Sequence, residues 1–203
     1  MNSNLSELQL DALREMGNIG AGHAAIALSQ MLDKKIMISV TRSDIVPSEV
    51  YINNVTAGKD EIFTGVYLHT LGDVRGAIVY MFNKDSTLKL NGLLLPQQRK
   101  LSVFTDEHEL SALKELGNIL TGAFFSVFAE MFGLKIFHKT PCYVLDRAET
   151  IIHGVFEEVF GDQKGRLSIV TEFIESESQI NGSFIFAPTE EAMSKIMAKL
   201  NIN

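Results

Sequence analysis

The chain repeats itself at a spacing of 100 residues, and this repeat constrains its fold more than any other feature. Residues 9–22 align with 109–122 without a gap, and 8 of the 14 positions are identical. The identities are Leu10, Ala12, Leu13, Glu15, Gly17, Asn18, Ile19 and Gly22, matched at 110, 112, 113, 115, 117, 118, 119 and 122. The correspondence continues more weakly through Met31/Met131, Lys35/Lys135 and Ile36/Ile136, then shifts by six so that Gly76 aligns with Gly182. A period of about half the chain means that one supersecondary unit is used twice.

Each unit reads as a long helix, three strands and a shorter helix. Ser6 followed by Gln9, and Asp106 followed by Glu109, are capping-box patterns that start the two long helices. Strand-like runs follow at 35–40, 62–70 and 74–82, and again at 134–140, 166–174 and 180–187. Shorter helices at 86–95 and 189–200 close the units, and the polar stretches around Asp60, Glu61 and 162–164 read as loops. Three strands with one apolar face each cannot stand alone in water. The expectation is therefore a single α/β domain over residues 1–203, built from internal repeats at about 5–97 and 105–203. In it, pseudo-two-fold duplicated helix–three strands–helix units share one antiparallel sheet, with two long helices packed on it.

Composition narrows the function. With 46% hydrophobic residues, a chain of this length buries a core without disulfides, and the single cysteine, Cys142, has no internal partner. The N-terminus lacks the pattern of an export signal, and no apolar run approaches the roughly 18–20 residues that span a bilayer. A cytoplasmic protein without membrane insertion is expected. A net charge of -7 argues against a nucleic-acid surface, which needs clustered cations to displace counterions.

The long helices carry the informative residues. At about 100° per residue, Leu10, Leu13, Gly17, Ala21, Ala24, Leu28 and Met31 fall on one side, and Leu110, Leu113, Gly117, Phe124, Phe128 and Met131 repeat that stripe. Asp11, Glu15 and Asn18 lie within about 60° of one another on a different face, as do Ser111, Glu115 and Asn118. One exposed Glu and Asn would be ordinary solvated residues. Here both copies keep them, while positions taken as exposed neighbours, such as Asp11/Ser111 and Gly20/Leu120, differ. Asn is a mediocre helix former, so holding it mid-helix twice points to a task. Gly22 and Gly122 fall on the same face, beside Ile19 and Ile119 and near Ala25 and Phe125, a shallow surface suited to docking another protein. Gly17 and Gly117 instead fit close helix packing.

A carboxylate three residues from a carboxamide offers no nucleophile, and the Cys, His and acidic residues show no metal-ligand spacing. Such a pair lends orientation and charge to chemistry whose other parts sit elsewhere: an amide holds a water, and a carboxylate anchors a cation on a partner. A two-carboxylate hydrolase using Glu15 and Glu115 would need both in one cleft.

These residues match the pattern [DS]xxxExxN followed after 22 residues by Pro. The second copy fulfils it with Ser111, Glu115, Asn118 and Pro141; the first has Asp11, Glu15 and Asn18 but Thr41 in place of the proline. With this motif duplicated, the chain resembles the CheC/CheX/FliY chemotaxis phosphatases, and among them the CheC type, over nearly its whole length. CheX is a less close match to a chain carrying both helix motifs, and no room is expected here for the C-terminal switch domain that FliY adds. The resemblance implies a protein aspartyl-phosphate phosphatase acting on the phosphorylated response regulator CheY. In it Glu15 and Glu115 would pair with the regulator's lysine, and Asn18 and Asn118 would orient the attacking water. It implies no cofactor or metal of the chain's own, since magnesium belongs to the regulator, and it implies the receptor deamidase CheD as a further partner. The alternative is an adaptor that binds CheY and CheD with little or no catalysis.

Overall fold

The computed structural model describes residues 6–35, 38–47, 61–97, 107–161, 167–175 and 177–200. Helix α1 (Glu7–Leu32) begins where its local chemistry dictates. The Ser6 hydroxyl accepts from the Gln9 backbone N–H at 3.3 Å, and the Gln9 side chain accepts from the Ser6 N–H at 2.9 Å. Two otherwise orphaned donors are thus satisfied reciprocally. Its counterpart, α3, spans Glu107–Phe132; the cap expected at Asp106 lies outside the described residues, as do the loop positions Asp60 and 162–164.

Seven strands form one antiparallel sheet: β1 (Ile38–Pro47), β2 (Ile62–Gly72), β3 (Gly76–Asn83), β4 (Ile136–His138), β5 (Cys142–Arg147), β6 (Leu167–Glu175) and β7 (Ile180–Pro188). Their order is β1-β6-β7-β3-β2-β4, with β5 also on β2. The two halves of the chain are interleaved. β1 pairs with β6, β4 and β5 pair with β2, and β3 meets β7 at the centre. Each half therefore completes the other's sheet, so neither half can bury its strands alone.

The remaining helices are α2 (Lys84–Leu94), α4 (Ala148–Phe160) and α5 (Glu190–Leu200). Two features depart from the expected unit. The run expected as one strand at 134–140 is only β4, and a further strand, β5, follows after Pro141, which supplies no backbone N–H to a ladder. Residues 148–160, for which the sequence predicts no element, form α4, whose Ala148, Ile151, Ile152, Val155 and Phe160 are buried.

That extra helix changes the layering. In β3 the side chains alternate, with Ile78, Tyr80 and Phe82 facing the cluster under α1 and α3, and Ala77, Val79 and Met81 facing the cluster under α4. Both faces of the sheet are thus covered, which is why β3 is apolar at nearly every position instead of alternating. The expectation of one apolar face per strand does not hold for the central strands.

On the larger face α3 is anchored by aromatics. Phe124 lies 4.5 Å from Phe184 and 5.3 Å from Phe128 between ring centroids, and Phe125 lies 5.3 Å from Phe186. Each such buried ring contributes roughly 1.5–3 kcal/mol from area alone. The buried Tyr80 hydroxyl and Thr121 Oγ1, 3.1 Å apart, satisfy each other and tie β3 to α3. Gly117 lets the helix approach the sheet: a Cβ there would sit 2.6 Å from Val66 Cγ1.

Candidate functional site

The two long helices pack against each other as well as on the sheet, and that second contact decides which way their polar faces point. A Cβ on Gly20 would collide with the Phe124 ring, and His23 Nδ1 lies 3.4 Å from Ser126 Oγ. Since the Ser126 hydroxyl donates to the Ala123 carbonyl at 2.8 Å, its lone pair is left to accept from His23. His23 is thereby occupied in joining the helices.

Gly20 and Leu120, read from the sequence as exposed, are both buried, because they face the neighbouring helix. The buried set on α1 is Leu13, Met16, Gly17, Gly20 and Leu28. Its centre is turned toward Met16 and Gly20 relative to the expected stripe, about 160° from Asp11, Glu15 and Asn18. Met131, expected in the core stripe, is 56% exposed, since the last buried residue of α3 is Phe128.

On α1, Asp11, Glu15, Asn18 and Gly22 are exposed and Ile19 is half-buried. On α3, Ser111, Glu115 and Gly122 are exposed, while Asn118 and Ile119 are half-buried. Among the described residues, no hydrogen bond or ion pair holds Glu15, Asn18, Glu115 or Asn118. Asp11 differs, with a carboxylate oxygen 2.9 Å from the Arg14 guanidinium one turn on. Gly22 and Gly122 have no atom within 4 Å of where a Cβ would stand. Among the described residues neither glycine has a packing reason, in contrast to Gly20 and Gly117.

The two faces are not equal. The buried arc of α3 is wider than that of α1 and reaches Phe125, which is 4% exposed and lies about 20° from Asn118 around the helix. Phe125 was expected on the shallow surface; it is core, because its ring meets Phe124 and Phe186. Asn118 therefore stands at an apolar margin, whereas Asn18 faces open solvent. On α1 the sequence reading missed two residues: Leu8, 64% exposed, and Ile26, 59% exposed, each lie within about 20° of Glu15. Two apolar side chains on the polar face at the motif's own angle were the available signal.

The environment of the proline position also differs. Pro141 is buried in the break between β4 and β5, whereas Thr41 lies within the continuous β1, where the register with β6 shifts between Val40 and Arg42. Neither motif lines the enclosed apolar cavity of about 50 Å³ beneath the helices, which Ala21, Leu28, Leu120 and Phe124 help to form. The glutamates are surface groups outside that cavity. Among the described residues no helix is long and apolar enough to cross a membrane.

Comparison with known proteins matches both motif segments. The CheC-like family corresponds to residues 8–40 and 109–144, which contain both Glu/Asn pairs and Pro141. The CheY-P phosphatase CheC of Bacillus subtilis is 28% identical over 97% of this chain and 95% of its own length. Among solved structures, FliY of Thermotoga maritima superposes with a TM-score of 0.73 at 22% identity, covering 97% of both chains. The CheX–CheY–BeF3–Mg2+ complex of Borrelia burgdorferi matches with a TM-score of 0.58 at 17% identity, over 85% of this chain and 97% of that one. Two copies of one helix-borne motif, an α/β fold with a single antiparallel sheet, and a relative matched over nearly its full length are what this chain has in common with the CheC-like family.

Proposed function

We propose that the chain is a phosphatase of phosphorylated CheY and that it works from two surface sites, Glu15 with Asn18 and Glu115 with Asn118. The observation that carries this reading is the freedom of those four side chains. Each pair lies on an outward helix face, one turn apart, and among the described residues nothing in the chain occupies it. A relative of nearly full length bears the name CheY-P phosphatase, and a structural neighbour was solved bound to CheY, which supports the choice of partner.

In this reading the chemistry is shared between two proteins. The regulator brings its aspartyl phosphate, its lysine and its magnesium ion. Glu15 or Glu115 pairs with the lysine and fixes the docking register. The amide of Asn18 or Asn118 enters beside the phosphoryl group, where it accepts from and donates to a water at once. That water attacks phosphorus in line; the bond from phosphorus to the aspartyl oxygen breaks, and inorganic phosphate and a free carboxylate result. Because phosphoryl transfer depends on placement and electrostatics, a positioned amide without a nucleophile is sufficient help. Gly22 and Gly122, with Ile19 and Ile119, leave room for the partner's surface, and Asp11 and Ser111 flank it. CheD is a further proposed partner, as an adaptor reading also requires, and the whole is proposed to act as one duplicated domain in the cytoplasm.

Phosphate release from phosphorylated CheY tests this. Asn18→Ala with Asn118→Ala is expected to abolish the acceleration, and either change alone to leave part of it. Wild-type rates in the double variant would refute the assignment. Retained CheY binding with no turnover in any form, the wild type included, would establish the adaptor instead.

A further inference from the structure

Leu8 and Ile26 are about five helical turns apart on α1 and stand at the same angle around it, about 20° from Glu15 and about 20° from Ile19. They are 64% and 59% exposed, and neither belongs to the two core clusters. Single apolar side chains scattered over a surface need no explanation. These two are not scattered. Five large apolar side chains are exposed among the described residues, and two of them fall on this one line beside the motif. Met131, by comparison, is turned about 160° from Glu115 on its own helix.

The line is not a by-product of the repeat. The places on α3 that correspond to Leu8 and Ile26 hold His108 and Ser126, so the duplicated unit folds without an apolar residue at either. Only Ile19, which leans on the core, has an apolar counterpart, Ile119. At about 1.5 Å per residue, Leu8 and Ile26 stand about 13 and 14 Å along the helix axis from the midpoint of Glu15 and Asn18, one on each side. A standard interface buries about 800 Å² on each partner, equivalent to a disc of roughly 16 Å radius. A protein centred on the first motif therefore reaches both residues.

We infer that Leu8 and Ile26 are the apolar contacts that hold phosphorylated CheY at the first site, one on either side of the Glu15/Asn18 pair. The partner surface they fit carries an apolar patch on each side of its phosphorylated aspartate, the two about 27 Å apart along the line of α1. Both side chains leave water when the partner docks, and contacts at the margin of an interface exclude water from the polar groups at its centre. The contacts are made equally before and during phosphoryl transfer, so they act on partner affinity and leave the chemical step alone. This inference rests on the phosphatase reading and adds to it two residues that set the affinity of the first site.

The test isolates each site. With Asn118→Ala present, only the first site turns over; with Asn18→Ala, only the second. Leu8→Gln with Ile26→Gln is expected to raise KM for phosphorylated CheY about tenfold when only the first site works, with kcat held, and each change alone to raise it about threefold. Glutamine is a good helix former and both positions face water, so the melting temperature holds. Leu8→Met with Ile26→Met keeps KM near that of the parent, and neither pair of changes moves KM when only the second site works. An unchanged KM for the glutamine pair, a loss confined to kcat, or the same rise in both backgrounds overturns the inference. So does a fall in solution mass with the glutamine pair, which would assign the line to a second copy of this chain. Should the double asparagine variant prove as active as the wild type, the phosphatase reading fails. Titration with beryllofluoride-loaded CheY then still reads the two contacts: weaker binding of the chain with the glutamine pair supports them, and equal binding refutes them.

Discussion

Replacing Gly22 and Gly122 by alanine separates stability from function. Both glycines are in helix interiors at ordinary helical φ, since the glycines with positive φ are Gly72, Gly133 and Gly161. Nothing lies within 4 Å of the added methyl at either place. Each change therefore gains the propensity difference, about 0.8–1 kcal/mol, with no packing term against it. The two positions share no partner, so the gains add to about 2 kcal/mol, or roughly 4–8 °C in Tm for a chain of this size. A methyl group on each docking face lies where the partner is proposed to sit, so KM for phosphorylated CheY is expected to rise severalfold while the protein becomes harder to unfold. Gly20→Ala is the control of opposite sign. Its methyl meets the Phe124 ring, which is packed against Phe184, Phe125 and Phe128 and must shift with them to make room. Overpacking of this kind costs about 1–3 kcal/mol. Thermal melts and phosphate-release kinetics on the same preparations read both effects. A double variant no more stable than the wild type would refute the open-space argument. A more stable one with unchanged KM would refute the placement of the partner.

Two further perturbations probe the scaffold. Burial pushes the Tyr67 hydroxyl up to about 12, with the Cys142 thiol adding to the rise, and raises that of Tyr80 further against a weaker opposing pull from its bond to Thr121. The unfolded chain releases these protons near pH 10 and the folded one later, so the stability they contribute is complete below about pH 10 and declines as pH rises toward 12. Urea midpoints measured across that interval should fall, and Tyr80→Phe should flatten the fall; a flat profile in the wild type would contradict the burial of these hydroxyls. Gly72→Ala addresses the β2 end that holds β4, where φ is 85° and a Cβ would strike the Lys135 carbonyl. Strain and collision together should cost about 2–3 kcal/mol in a thermal melt, whereas Gly154→Ala, with nothing near its Cβ, should not destabilise.

Features governed by neighbours in sequence were legible before the structure. The Ser6/Gln9 cap is a contact across three residues, and its two hydrogen bonds form as the pattern requires. The outward direction of Glu15 and Glu115 follows from helical period alone and is present in the structure. Helix α4 is legible in the helical spacing of Ile151, Ile152 and Val155 and in Gly161, which ends the run. Gly20 and Phe125 could not have been placed correctly. Helical period gives an angle about the axis, and whether a second helix lies at that angle depends on residues a hundred positions away.

The sequence by itself determined the start of α1 and the pairing of Glu with Asn on one face of each long helix, because each depends on interactions within about two turns of chain. Only the tertiary structure decided that β1 crosses to β6 while β4 and β5 cross to β2, that a helix covers each side of the sheet, and that Asn118 stands beside buried Phe125 while Asn18 stands in solvent. Those outcomes depend on which distant surfaces meet and exclude water, and burial is a property of the packed assembly that no local pattern encodes. The duplicated motif is one sequence feature; its two unequal surroundings are the work of packing.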